Sequence, residues 1–170
     1  MSRPLIGSIG VLIIISFVLD GVAVFTPGWM SVSATSMGNT YGATGGIVPY
    51  DSAGPTWFLA ASWMMFISFG LFFPLLGVYL HAGYKARRHD CCHDDRHSYY
   101  GISGFSSLIT VLVAVSFTLF AINVPSSVYS PYGSATASLG YSAYLALASA
   151  ILLSIASLLS GRISRRHGHY

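Results

Sequence analysis

Few residues in this sequence could carry out chemistry, and the first of them is a lone acid. Asp20 lies inside an apolar run, about one and a half helical turns before the end of that run at Phe25. A charged carboxylate inside a membrane costs about 2–3 kcal/mol, so an acid there is a candidate proton or cation site. Since no Lys or Arg lies in any apolar run, the alternative is a neutral polar contact between helices. Its partners would come from the last apolar run or from Ser116, Thr118 and Asn123.

The second candidate is a pair of adjacent cysteines, Cys91 and Cys92, among the basic and histidine residues of 85–97. Cysteines a few residues beyond an apolar run and beside basic residues are typical of S-palmitoylation, which is our leading interpretation. Zinc binding with the nearby histidines is a second one, although adjacent cysteines differ from the spacing of structural zinc sites. The third is a solvated loop with two free thiols. We predict no metal site and no cofactor.

The sequence lacks the motifs of common enzyme classes. It has no Walker-type glycine loop, no G-x-S-x-G and no H-E-x-x-H. It also has no C-x-x-C pair that would indicate redox chemistry. We therefore predict that the protein is not an enzyme.

The composition is that of a membrane protein. Hydrophobic residues make up 54% of the 170 residues and charged residues only 8%, whereas soluble domains have roughly 25% charged residues. Residues 97–161 include no Asp, Glu, Lys or Arg, and residues 4–84 include only Asp20 and Asp51. A bilayer core of about 30 Å requires roughly 20 helical residues, so each of these stretches holds two spans. We predict an all-α membrane fold, a single domain of residues 1–170 with four transmembrane helices at about 5–25, 57–80, 100–123 and 139–160.

The basic residues predict the orientation of these spans. All eight Lys and Arg residues lie before the first span, between the second and third, or after the fourth. Because positive residues stay on the cytoplasmic side, residues 1–4, 81–99 and 161–170 should be cytoplasmic, and residues 26–56 and 124–138 extracellular. The net charge of +3 then reflects topology and anionic inner-leaflet lipid, not nucleic-acid binding. The plasma membrane is the expected location.

The longer extracellular segment predicts a small β-structure. Residues 29–34 alternate bulky and small side chains, as a strand does, and glycines and prolines farther along mark turns. We expect a small β-ribbon lying on the outer ends of the helices. The shorter segment 124–138 could add one more short strand or turn.

Small residues predict where helices approach closely. Gly70 and Gly77 lie about two turns apart on one face of the second span. In the fourth span, small residues recur at intervals of four, at Ser142, Ala146, Ala150 and Ser154, which is the small-xxx-small pattern of packed membrane helices. The sequence leaves open whether this stripe serves the bundle or a neighbouring protein.

These features together resemble a known family. Four spans, cytoplasmic ends and a longer first outer segment that opens with Pro27-Gly28-Trp29 are similar to the claudin superfamily, which includes peripheral myelin and stargazin-like proteins. The resemblance implies an integral membrane interaction protein at cell junctions, or an auxiliary subunit of a channel or receptor.

The predicted function is therefore contact with other proteins. We expect partners among membrane lipid and other integral membrane proteins, in cis and also in trans, with homo-oligomers as a further expectation and no nucleic acid. The extracellular contact surface would consist of large amphipathic rings and one acid: Trp29, Tyr41, Tyr50, Asp51, Tyr129 and Tyr132. Two alternatives remain open, a small transporter or proton-linked channel using Asp20, and a structural subunit of a larger membrane complex.

Overall fold

The computed structural model of the chain describes residues 3–36, 39–48, 50, 54–88, 96–124 and 134–166. Within these residues, four long helices are interspersed with three short strands. The elements in chain order are α1 (Arg3–Phe25), β1 (Met30–Ser36), β2 (Asn39–Gly45), α2 (Thr56–Arg88), α3 (Arg96–Asn123), β3 (Ser134–Leu139) and α4 (Tyr141–Arg166). The predicted fold class, a four-helix membrane bundle with a small β-ribbon, is confirmed.

Each helix contains a stretch long and apolar enough to cross a membrane. These stretches are Ile6–Phe25, Thr56–Lys85, Ser98–Asn123 and Tyr141–Arg162. The second is longer than predicted because the residues after Leu80 continue the helix. It also continues through Pro74. The proline removes one backbone hydrogen bond, but ending a helix inside a membrane would leave more backbone groups unsatisfied.

The start of the fourth span also differs from the prediction. Leu139, predicted as its first residue, instead ends β3, and α4 begins two residues later at Tyr141. Gly140 separates the strand from the helix and is buried. Small residues lie on both sides of Gly140, so the sequence shows no sharp boundary between strand and helix.

The helices pack in the order α2, α3, α4, α1, with each helix beside the next. The seam between α1 and α2 is filled by large aromatic side chains. The ring centroid of Phe17 on α1 lies 5.3 Å from the ring centroid of Phe69 and 5.6 Å from that of Phe72. Side chains that point away from the bundle are apolar and exposed, as expected of a surface that meets lipid; examples are Val11, Ile67, Val111 and Ile151.

Serine hydroxyls connect the helices across the bundle. Each donates a hydrogen bond to a backbone carbonyl oxygen of the neighbouring helix. The pairs are Ser149 to Ser16 at 2.9 Å, Ser116 to Ala61 at 3.0 Å, Ser157 to Ser103 at 3.1 Å and Ser160 to Tyr99 at 3.0 Å. Such bonds contribute about 0.6 kcal/mol each inside a membrane, so together they help to fix the bundle.

The three strands form one antiparallel sheet in the order β2-β1-β3. The hairpin pairs Met30 with Gly45 and Ser36 with Asn39. On the other side of β1, Met30 pairs with Leu139 and Thr35 with Ser134. The central strand therefore joins the chain that follows α1 to the chain that precedes α4. We call the end of the bundle that carries this sheet the sheet end.

Candidate functional site

The sheet has one face toward the bundle and one face away from it. Met30, Ala137 and Leu139 are partly buried and pack against the hydrophobic core. Since side chains alternate along a strand, their neighbours point the other way. Four of these outward residues are serines or threonines with exposed side chains: Ser33, Thr44, Thr136 and Ser138. We call these four residues the hydroxyl face.

Trp29 attaches this sheet to the end of α1. Its indole Nε1 donates a 2.6 Å hydrogen bond to the carbonyl oxygen of Ala23. The last carbonyl groups of a helix have no partner within the helix, so the indole satisfies one of them. Its ring lies 4.6 Å from the ring of Phe120 on α3, which in turn lies 5.6 Å from Trp57 on α2. Trp29 thus contacts α1 and α3 directly, and Phe120 connects it to Trp57 of α2.

This position corrects the prediction that Trp29 contacts a partner. The side chain is 0% exposed, so it has no surface to offer to another protein. A large ring next to three apolar helix ends loses less surface to water by packing inward, and burial also gives its N–H an acceptor. Trp29 is a structural anchor of the sheet.

The residues on either side of Trp29 bring together the two segments that carry the strands. Trp29 donates its backbone N–H to the carbonyl oxygen of Gly45 at 3.0 Å and accepts from Gly140 at 2.9 Å. The Gly28 carbonyl oxygen accepts from the backbone N–H of Ser142, the second residue of α4, at 3.0 Å. The string Pro27-Gly28-Trp29 is therefore the point where the first segment meets the second.

Only glycine fits at this junction. A Cβ atom on Gly140 would lie 2.6 Å from the Gly28 carbonyl carbon, and one on Gly46 would lie 3.0 Å from the Thr26 carbonyl oxygen. Both obstacles are backbone atoms, which cannot rotate away as a side chain can. The sequence marked Gly46 only as a turn residue and placed Gly140 in the fourth span, because a close approach between distant segments leaves no local signal.

Of the other predicted contact residues, the structure describes Tyr50 and Tyr41. Tyr50 is 40% exposed, and its hydroxyl accepts a 3.2 Å hydrogen bond from the indole nitrogen of Trp63. Tyr41 lies in β2, where it pairs with Ala34 of β1. The remaining three, together with both cysteines, lie outside the described residues: Asp51, Tyr129, Tyr132, Cys91 and Cys92.

The small residues of α4 and those of α2 lie in different surroundings. Ser142, Ala146 and Ala150 are buried inside the bundle, and Ser154 is half-buried. By contrast, Gly70 and Gly77 are exposed, and a Cβ atom on either would meet no atom within 4 Å. The two glycines of α2 therefore do not bring two helices of this chain together.

Asp20 is fully buried beside α2. Its exposure is 0%, and among the described residues neither carboxyl oxygen meets a hydrogen-bond partner. The hydroxyl beside it belongs to Ser68 of α2. Ser16, one turn earlier on the same face of α1, also has a buried Oγ atom without a partner.

The partners predicted for Asp20 on α3 bond elsewhere. Ser116 donates to Ala61, as described above, whereas Thr118 and Asn123 donate at 2.8 Å to the carbonyl oxygens of Ala114 and Leu119, four residues earlier. Polar side chains in apolar helices commonly use these backbone acceptors because they are always within reach. The serines of the bundle give a signal that sequence reasoning missed: each hydroxyl in lipid needs an acceptor.

The comparison with known families agrees with this geometry. A family model described as "Tight junction protein, Claudin-like" matches residues 1–169, which include all four helices and all three strands. No curated protein gives a significant match to the chain. The four long apolar helices, the sheet joined at Trp29 and the match over 1–169 lead to one conclusion: the chain belongs to the claudin-like family of tight junction proteins and is a multi-pass membrane protein.

Proposed function

We propose that this claudin-like chain is a non-enzymatic interaction protein of cell junctions, which contacts other membrane proteins through its sheet. The observation that supports this function best is the construction of the sheet. Both outer segments contribute strands to it, and Trp29 and the glycine junction fix it to the bundle. A surface fixed in this way keeps its shape on binding, which lowers the entropic cost of association.

The chemistry of the surface indicates the kind of contact. The three strands contain no Asp, Glu, Lys or Arg. The hydroxyl face offers hydrogen-bond donors and acceptors without a charge, so a partner would be bound by hydrogen bonds and shape. Salt screens attraction between charges, and we therefore expect association through this face to be insensitive to ionic strength. A surface without charge is unsuited to selecting ions by sign.

The distribution of charge supports the orientation. Lys85 and Arg88 follow the apolar part of α2 at the end opposite to the sheet, and Arg162 follows that of α4. Positive residues favour the cytoplasmic side. We infer that both termini are cytoplasmic, that the sheet lies outside the cell and that the plasma membrane houses the protein.

A mixed-cell assay tests the contact function. Cells that express the tagged protein are grown beside cells that do not, and its density is measured at each type of boundary. We expect enrichment only where two expressing cells meet, and loss of that enrichment in Thr136→Glu/Ser138→Glu, which places charge on the hydroxyl face. Thr56→Glu, at an exposed position at the start of α2 and outside the sheet, is the control. Equal density at all boundaries would reject contact across cells.

A second candidate function, an auxiliary subunit of a channel or receptor, is favoured by α2. Gly70 and Gly77 leave open space on an exposed face of this helix, and small residues of this kind let another membrane helix approach closely. Gly70→Leu/Gly77→Leu should then abolish copurification of a partner at fixed ratio in mild detergent, while enrichment at cell boundaries is kept. Unchanged copurification would show that the Gly70 and Gly77 face of α2 does not bind the partner.

A further inference from the structure

Asp20 is a buried group that the contact function does not use. Its side chain is 0% exposed, and both of its oxygens lack a hydrogen-bond partner within the part of the chain that the structure describes. It lies on the seam between α1 and α2, three residues after Phe17, whose ring stacks 5.3 Å from that of Phe69. An acid in such a place must be either compensated by a positive charge or kept neutral.

In the described helices, no positive side chain is placed to compensate it. The two helices that pack against α1 are α2 and α4; α2 has no charged residue from Thr56 to Leu80, and α4 has none from Tyr141 to Gly161. The nearest phenol on α2 along this seam, that of Tyr79, donates to the Ile6 carbonyl oxygen at 3.2 Å. Ile6 is roughly 21 Å from Asp20 along the helix at about 1.5 Å per residue.

The neighbouring hydroxyl indicates which form of the acid fits. Ser68 Oγ donates its single hydrogen to the carbonyl oxygen of Met65 at 2.8 Å. While it makes this bond, Ser68 Oγ can only accept from the neighbouring Asp20. An ionised carboxylate also only accepts and would have to draw the Ser68 hydrogen away from Met65, whereas a protonated carboxyl group can donate to Ser68 Oγ and leave that bond in place.

We propose that Asp20 is a proton-binding site of the bundle. In the bound state the neutral carboxyl group donates to Ser68 Oγ, which donates to the Met65 carbonyl oxygen. The resulting chain of two hydrogen bonds connects α1 to α2 at a seam that is otherwise filled by aromatic rings. The proton also removes the charge from α1, so the helix crosses the membrane as a neutral segment. Release of the proton would leave an uncompensated charge between the two helices.

Infrared difference spectroscopy tests this site directly. The protein is reconstituted in phosphatidylcholine vesicles at neutral pH, and the spectrum of Asp20→Asn is subtracted from that of the wild type. We expect a carbonyl stretch of a protonated carboxyl group, which shifts in D2O. In Ser68→Ala this band should move to higher wavenumber because the hydrogen-bond acceptor is lost. Ser16→Ala, which removes a nearby hydroxyl without a partner, should leave it unchanged.

Three results would overturn the proposal. The first is a difference spectrum that shows carboxylate bands at neutral pH. The second is a protonated band that Ser68→Ala does not move. The third is a melting temperature that rises with Na⁺ at constant ionic strength in the wild type but not in Asp20→Asn, which would identify a cation site. If Asp20→Asn fails to fold, ¹³C-aspartate labelling of Asp51→Asn/Asp90→Asn/Asp94→Asn/Asp95→Asn, in which Asp20 is the single aspartate, and measurement in H2O and D2O give the same assignment.

Discussion

The indole nitrogen of Trp29 lies 2.6 Å from the carbonyl oxygen of Ala23. This hydrogen bond connects the residue just before β1 to the last turn of α1. The bond is completely buried, so water cannot replace it if it is lost. The same ring contacts Phe120 of α3. One side chain therefore sets the position of the sheet relative to two helices.

We expect Trp29→Phe to lower the free energy of unfolding by about 1 kcal/mol, because the ring is kept while a buried hydrogen bond is lost. Trp29→Ala should cost about 3–5 kcal/mol through the cavity it leaves. Thermal unfolding in detergent measures both. Trp63→Phe is the matched control, since Trp63 is 57% exposed. Equal losses for Trp29→Phe and Trp63→Phe would contradict the anchor role.

The glycine junction gives a second prediction. Gly140→Ala should destabilise the protein by about 3 kcal/mol, because its Cβ atom would overlap the backbone of Gly28. Gly70→Ala, on an open face of α2, should instead stabilise it by about 0.5–1 kcal/mol by restricting the unfolded chain. The two variants make the same chemical change, and opposite shifts in melting temperature are expected. A rise in melting temperature for Gly140→Ala would show that the close approach at Gly140 is not required, and a fall for Gly70→Ala would contradict the open face of α2.

A third prediction concerns the hydroxyl bond between α4 and α1. Ser149→Ala removes the donor to the Ser16 carbonyl oxygen and should cost about 0.6 kcal/mol. Ser154→Ala is the control, because the Ser154 hydroxyl donates within its own helix, to Ile151 at 2.7 Å. Steric trapping or thermal unfolding of both variants in bicelles measures the difference. A larger loss in the control would exclude the interhelical bond as a contributor.

The register of the sheet is testable by cross-linking. Ser33 of β1 pairs with Thr136 of β3, and both are exposed. In a background of Cys91→Ser/Cys92→Ser, we expect Ser33→Cys/Thr136→Cys to form a disulfide on mild oxidation, since directly paired residues of antiparallel strands fall within disulfide range. Ser33→Cys/Ala137→Cys places the thiols on opposite faces and should not form one. Cleavage between the two cysteines followed by non-reducing electrophoresis detects the link.

The proposed orientation predicts which thiols a reagent outside the cell can reach. In intact cells, a membrane-impermeant maleimide should label Thr136→Cys in the Cys91→Ser/Cys92→Ser background. The wild-type protein, in which Cys91 and Cys92 are the two cysteines, should be labelled only after the cells are permeabilised and cysteine thioesters are cleaved with hydroxylamine. Labelling of the wild type in intact cells would reverse the topology or show that these residues are not cytoplasmic.

The sequence predicts the helices of this fold well because they depend on local composition. The run from Leu5 to Phe25 and the basic residue Arg162 after the fourth span are visible without knowledge of any contact, and so is the alternation that produces β1. The pairing of β1 with β3 is less visible. It depends on Ser134–Leu139, a short segment of small residues that reads equally well as the start of a helix.

The contact residues were harder to predict because burial is a property of the whole fold. Trp29 has the chemistry of an interface residue, yet the space between three helix ends makes it internal. Gly70 and Gly77 have the spacing of a packing face, yet no helix of this chain covers them. Residue type and spacing indicate that a side chain suits close contact, but they do not specify which neighbour provides it.

The central position of β1 has a consequence for synthesis on the ribosome. β1 ends at Ser36, but its partner β3 begins only at Ser134, after two further helices have been made and inserted. Until then one row of backbone N–H and C=O groups on β1 is unpaired, and bare strand edges readily pair with other chains. A nascent chain that stops before Ser134 therefore exposes an unpaired strand edge that β3 covers in the finished protein. Quality-control factors that recognise bare strand edges could thus distinguish incomplete copies from complete ones before either leaves the membrane in which it was made.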